Sequence, residues 1–430
     1  MRSFPVRWWC FLLLCAMGMP VQSAVHLYDD EQMQLLADNF SVYRESREQL
    51  TIGEVLKLRH EFIYQADNNP NYGFSENGLW LHADISNLSH TDEWVFSLNF
   101  SQLDKVDFYV VVNNQVIDQS HQGKFQPEQH FRIPVFNTAL PIGVEAELFI
   151  RVQSSSSALI APVYVTSQTK QTIISQVDNL LWGFFYGGLM ILALYNFVLF
   201  LGSRELSLVG YVTYISAVLI WQFVWGGHLH FFFPDTLSPI FSPYTSLIFV
   251  IIGICSGIFS LIFLETKENA PSTHPVVIAF LWLQGAMGLV ALLGILPPTW
   301  EHNLIYGISM LSICSYIAAG FEAYIKKYKP ARYFIFAWSI LATGALIGML
   351  SLVGVVPSNM FTTYCFQVAV FCEAGLFSIA LMEKSRSRLE NDVSEATDEL
   401  RHNMELIEEQ NARLDICLLY TSPSPRDQCL

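Results

Sequence analysis

Charge is scarce in this chain. Only 14% of its 430 residues are Asp, Glu, Lys or Arg, whereas a soluble globular protein carries about a quarter. With 52% hydrophobic residues and a mean hydropathy of +0.35, a wholly water-soluble enzyme does not fit and an integral membrane protein does. Aromatic residues make up 14%, far too many for a disordered chain. Cysteine is absent from Val25 to Asp178, a stretch long enough to bury a core without disulfides. No CxxC or Cys/His cluster points to zinc or a redox pair. A basic patch is missing too, so nucleic acid is not an expected partner. The net charge of −15 lies in two polar regions instead. Residues 25–178 hold 20 acids and 9 bases, and residues 383–415 hold 10 acids and 5 bases.

Residues 1–23 read as a signal peptide. Arg2 and Arg7 precede a short apolar core from Trp8 to Met17, and Val21-Gln22-Ser23 suits cleavage before Ala24. A retained signal anchor is the rival reading, although the run is short for a span. Leu14 before Cys15 does not suit a lipoprotein signal.

Residues 25–178 read as a β-rich exported domain. Leu79 to Ile85 alternates after Asn77-Gly78, and Trp94 to Phe100 is a second run. Val106 to Val112, the turn Asn113-Asn114 and Val116-Ile117 predict a hairpin. Phe131 to Phe136, Leu148 to Val152 and Pro162 to Val165 add three strands. Short strands separated by turn residues predict a β-sandwich.

Seven apolar stretches follow, near 179–201, 207–225, 243–264, 276–296, 303–325, 332–354 and 360–382. Each is close to the roughly 20 residues that cross a bilayer as a helix. Arg204, Lys267, Lys326, Lys327, Lys329 and Arg332 all lie after odd-numbered spans, and Lys384, Arg386 and Arg388 follow span seven. The loops after even spans have no Lys or Arg. That alternation predicts an outside N-terminal domain and a cytoplasmic C-terminus.

From 383 to 415 the chain turns polar. Val393, Leu400, Ile407 and Leu414 recur every seven residues, with Leu389, Ala396, Asn403 and Gln410 at the other seam position. This pattern predicts a parallel dimeric coiled coil, hence a homodimer; a plain amphipathic helix is the other reading. Residues 416–430 break the heptads and are left unassigned, as a tail of artefactual or natural origin.

The chain resembles the bacterial seven-transmembrane receptors with diverse intracellular signalling modules (7TMR-DISM). In the exported part the resemblance rests on Gly78-Leu79-Trp80-Leu81, Leu103 to Tyr109 and Phe131-Arg132-Ile133-Pro134, which look like the family's type 2 extracellular domain. In the membrane part it rests on Gly183 to Gly188, Leu194 to Phe200, Arg204, Tyr211, Gly227 and Pro234, and on Glu373 to Lys384 in span seven. The resemblance implies a jelly-roll-like sandwich that binds a small ligand, carbohydrate among the candidates. It also implies a cytoplasmic output, a histidine kinase or a diguanylate cyclase. No GGDEF-type motif, phospho-acceptor block or nucleotide box follows Leu381. The expectation is therefore a chain with no catalytic residues and no cofactor of its own, its output domain missing.

The expected fold class is thus multidomain: an all-β sandwich, a seven-helix bundle and a coiled-coil helix. Trp80, Trp94 and Tyr109 are candidates for stacking on a sugar ring, with core packing as the alternative. Asp84, Asp104 and Asp107 could bond sugar hydroxyls or hold calcium, though their spacing matches no calcium loop. Asn196 and Glu373 are polar residues inside spans, either switch contacts or structural hydrogen bonds. Glu322 is expected to pair with Lys326 one turn on. His228 and His230 have ligand spacing but no third partner, so no metal site is expected. A sensor is the leading expectation and a transporter or channel the alternative. Few charges and no repeat in the spans argue against transport.

Overall fold

The computed structural model describes residues 24–421 apart from 30–32, 47–48, 65–68, 76, 125–130, 156, 230–243 and 358. The expected signal peptide, His230 and Pro234 therefore lie outside the described residues.

The N-terminal part is a two-sheet sandwich. Its strands are β1 (Val25–Leu27), β2 (Gln34–Leu35), β3 (Ser41–Arg44), β4 (Ile63–Tyr64), β5 (Leu79–Asn87), β6 (Glu93–Leu98), β7 (Lys105–Val112), β8 (Gln115–Gln122), β9 (Val135–Ala139), β10 (Glu145–Gln153) and β11 (Val163–Ser167). One sheet runs β4-β3-β5-β10-β7-β8, with β1 added parallel to the far end of β5; the other runs β2-β11-β6-β9.

Period-two alternation explains the layering. On β5, Leu79, Leu81, Ala83 and Ile85 enter the core between the sheets, so Trp80, His82 and Asp84 take the opposite face. Phe108 and Phe136 stack across the core with ring centroids 5.3 Å apart. Each such side chain contributes about 1.5–3 kcal/mol by leaving water. The hairpin turn falls at Asn113 and Asn114, both with positive φ, as a type I′ connection requires.

One strand differs from expectation. The run Phe131 to Phe136 is extended only from Val135, because Pro134 cannot donate to the ladder. Its carbonyl still accepts from Leu98.

Among the described residues, seven helices are long and apolar enough to cross a membrane. They are α1 (Gln168–Ser203), α2 (Leu206–Trp225), α3 (Thr245–Leu264), α4 (His274–Leu293), α5 (Pro298–Ile325), α6 (Ala331–Leu352) and α7 (Met360–Thr421). Helix α1 starts at Gln168, ahead of the apolar stretch near 179, so β11 enters it without a linker. Proline near the start of α4 and α5, and Gly294 at φ 60° after α4, set those boundaries. Helix α7 holds 62 residues, roughly 90 Å at 1.5 Å per residue. It runs through the polar segment and into the first residues of the unassigned tail.

Candidate functional site

Among the described residues, three hydrogen-bonded contacts tie the sandwich to the adjoining ends of the helices. Arg132, left free of the sheet by Pro134, carries the first. Its Nη2 donates to Asp178 Oδ1 on α1 at 3.0 Å and to the Tyr364 hydroxyl on α7 at 3.1 Å. Its Nε also donates to Asp178, and the Tyr364 hydroxyl donates to Asp178 Oδ1 at 2.8 Å. Burial opposes the charge on Arg132, yet Asp178 beside it raises its pKa above the usual value. The second contact joins Ser101 and Gln102 to the carbonyl of Trp225 at the end of α2, at 2.9 Å from Ser101 Oγ. The third runs from Asn71 Nδ2 to the Ser351 carbonyl on α6, at 2.7 Å. Gly227 completes the seam: its φ is +78°, and a Cβ there would lie 2.4 Å from the Arg132 carbonyl oxygen.

Beneath this seam lies a cavity of about 240 Å³, lined among others by Trp182, Trp221, Trp338, Tyr306, Gln284 and Ser309. Close-packed interiors resist rearrangement.

Polar contacts continue down α7. The Tyr214 hydroxyl donates to Glu373 at 2.8 Å, and the Tyr211 hydroxyl donates to the Ala374 carbonyl at 2.9 Å. Asn196 Nδ2 donates to Ser378 Oγ at 3.0 Å and to the Leu192 carbonyl at 2.8 Å. Both Asn196 and Glu373 are fully buried, so each intramembrane polar residue faces the bundle rather than lipid.

At the far end, Lys384 is buried. Its Nζ donates to Ser207 Oγ at 2.9 Å and to the Phe263 carbonyl at 2.8 Å. A cation is favoured there by the C-terminus of α3. Glu265 lies 3.1 Å from Lys384 and 2.6 Å from Arg388. Burial works against the Glu265 charge, but these two cations hold its carboxyl below the usual range. Ser385 Oγ donates to Glu205 at 2.9 Å.

The sequence candidates in the sandwich are packed away from solvent. Trp80 is 0% exposed, Trp94 6% and Tyr109 9%. Trp94 belongs to the core between the sheets. Trp80 stacks on Tyr109 with centroids 5.8 Å apart, and its Nε1 donates to Glu45 at 2.8 Å. Both pack with Phe149 and Val55, next to Phe62, on the other face of the larger sheet. Burial, with the Asp107 charge adding, pushes the Tyr109 hydroxyl up to about 12. Burial of this kind leaves little ring surface for a sugar to stack on. Asp104 accepts from Ser155, and Asp107 from His121.

Glu322 does not pair with Lys326. Its carboxylate accepts from the Ser272 and Thr273 amides and the Thr273 hydroxyl, each at 2.9 Å, just before α4. Unpaired amides at a helix start attract a carboxylate more strongly than an exposed i,i+4 partner does. Lys326 donates to the Glu268 carbonyl instead, at 3.0 Å. His228 is buried against Tyr186, whose hydroxyl lies 3.1 Å from its Nδ1. The seam residues Val393, Leu400, Ile407 and Leu414 are 56–62% exposed along α7, an apolar stripe that this chain does not cover.

Residues 178–384 match the family model described as 7TM diverse intracellular signalling. Residues 37–167 match the one described as 7TMR-DISM extracellular 2. Together the matches span more than three quarters of the chain. A comparison with curated proteins finds no match.

Proposed function

This chain belongs to the seven-transmembrane receptors with diverse intracellular signalling and carries their type 2 extracellular domain, and on that premise we propose how it carries a signal. It is a multi-pass membrane protein and a transmembrane sensory receptor. In our reading the sandwich lies on the periplasmic side of the inner membrane and binds a small ligand, of which carbohydrate is one class. The Lys and Arg bias of the odd connections supports that orientation. Binding shifts the sandwich against the helix ends. The shift reaches α7, and its polar half pairs with a second copy as a parallel coiled coil. The coil drives a cytoplasmic output, a histidine kinase in the first instance and a diguanylate cyclase as the alternative. The residues described here act as receptor, not catalyst.

One observation carries this reading. Arg132 of the sandwich bonds at once to α1 and to α7 through Asp178 and Tyr364. Helix α7 then continues unbroken to the apolar stripe. A movement at Arg132 is thereby a movement of the output helix.

Disulfide trapping tests it. A Leu400→Cys variant, with Cys417 and Cys429 replaced by serine, should crosslink into dimers in native membranes. Adding Arg132→Ala should change the crosslinking rate several-fold. No dimer at Leu400, Ile407 or Leu414, or a rate indifferent to Arg132, would sink the proposal.

A further inference from the structure

Away from the junction, one group of side chains has the chemistry of a cation site. His82 and Asp84 are two residues apart on β5 and leave the sheet on the same face. Glu147 on β10 is the register partner of Asp84. His82 Nε2 lies 3.2 Å from Glu147 Oε2 and 3.5 Å from Asp84 Oδ1. One ligand atom from each residue falls within 4.8 Å of the other two. A tetrahedral Zn²⁺ with bonds of about 2.0–2.2 Å holds its ligand atoms roughly 3.3–3.6 Å apart. The two histidine separations are close to edges of that tetrahedron.

The surroundings prepare the imidazole. Ser41 Oγ on β3 lies 3.2 Å from His82 Nδ1 and 3.3 Å from the His82 carbonyl oxygen. When the serine hydroxyl donates to that carbonyl, its oxygen accepts from Nδ1–H. Nε2 is then a bare lone pair facing two carboxylates. An outer hydrogen bond of this kind fixes the tautomer and ring of metal-binding histidines. The Phe149 ring, 4.5 Å away centroid to centroid, and Phe62, edge-on at 5.7 Å, pack against the imidazole.

Charge points the same way. Asp84 and Glu147 face each other directly across the strands, where like charges repel. Arg59 bonds Glu147 Oε1 at 2.8 Å, which offsets one charge and leaves Oε2 toward His82. The His82 side chain is 10% exposed, Glu147 25% and Asp84 49%. The nitrogen forms the floor, and solvent reaches the carboxylates.

We propose that His82, Asp84 and Glu147 bind a divalent transition cation of the zinc class, with water completing the shell. An imidazole nitrogen among the donors selects such a metal over calcium or magnesium, which prefer all-oxygen shells. The site stands apart from the signalling reading, since occupancy is measurable whether or not output changes.

Calorimetric titration of the full chain in lipid nanodiscs with zinc chloride tests it. One zinc per chain should bind. His82→Ala and Asp84→Asn should each weaken binding at least tenfold, and Ser41→Ala should weaken it by about 10–100-fold through the imidazole. Zinc should also raise the unfolding temperature of the wild type and not of Asp84→Asn. Because Asp84 is half exposed, that variant keeps the test valid if His82→Ala fails to fold. Absence of zinc binding, binding indifferent to both Asp84→Asn and His82→Ala, or displacement of zinc by an equal concentration of calcium would each overturn the assignment.

Discussion

Tyr214 on α2 and Glu373 on α7 are joined by a single hydrogen bond of 2.8 Å, with both side chains buried. Glu373 Oε2 has no partner among the described residues. A buried acceptor left open is costly.

Replacing Tyr214 by phenylalanine should destabilise the bundle by about 1–3 kcal/mol, the cost of stranding the carboxyl. Glu373→Gln should cost less, because its amide oxygen can still accept from the tyrosine. Denaturant unfolding in mixed micelles would show this order; equal effects would mean that the hydrogen bond is not what Tyr214 contributes.

Arg132→Ala leaves Asp178 and Tyr364 without their cation. Breaking one side of a largely buried ion pair should cost roughly 3 kcal/mol. A double-mutant cycle with Asp178→Ala should return a coupling of about 1–3 kcal/mol. Additive effects of the two substitutions would deny the pair a joint role.

Acid should loosen the sandwich through Glu45. Burial of this carboxyl works against its charge, but Arg151 and Trp80 outweigh it and hold the pKa below the ordinary value. A depressed folded-state pKa stabilises above the unfolded value of about 4.3 and is lost as pH falls through the folded value. The unfolding temperature of the wild type should therefore drop steeply below about pH 4.3. Glu45→Gln should start lower and flatten that drop, and an unchanged slope would assign the acid sensitivity elsewhere.

Two glycines one turn apart on α6 make a matched pair. A Cβ at Gly344 would lie 2.4 Å from Ala369 on α7, whereas Gly348 has open space around it. Gly344→Ala should cost about 1–3 kcal/mol by forcing the helices apart. Gly348→Ala should be neutral or mildly stabilising. Thermal unfolding of the two variants side by side distinguishes them.

Local periodicity made the layers readable. The alternation from Leu79 to Ile85 identified β5 and its core face, and apolar length identified seven helices. What the chain order hides is pairing between distant residues. Arg132, Asp178 and Tyr364 meet although Tyr364 lies 232 positions beyond Arg132. No local pattern marks that meeting, and Phe131 to Pro134 read as strand for want of it. Lys384 was readable as a topogenic charge, but its burial against Ser207 and Phe263 was not. Glu373 was legible as an ionisable residue in an apolar run; its partner Tyr214 was one aromatic residue among many. Asp84 stood out only as an acid of no particular spacing, because His82 faces Glu147 across a strand boundary.

The unbroken course of α7 has an evolutionary corollary. Under the proposed reading, a continuous helix hands on rotation and translation, so an effector fused beyond it would receive the same motion. Exchange of one effector for another then needs only that the splice preserve helical phase: seven residues added or removed return the stripe nearly to its facing, while two would turn it by roughly 200°. On that reading the receptor would be a standard fitting, able to take different effectors without any change in the bundle.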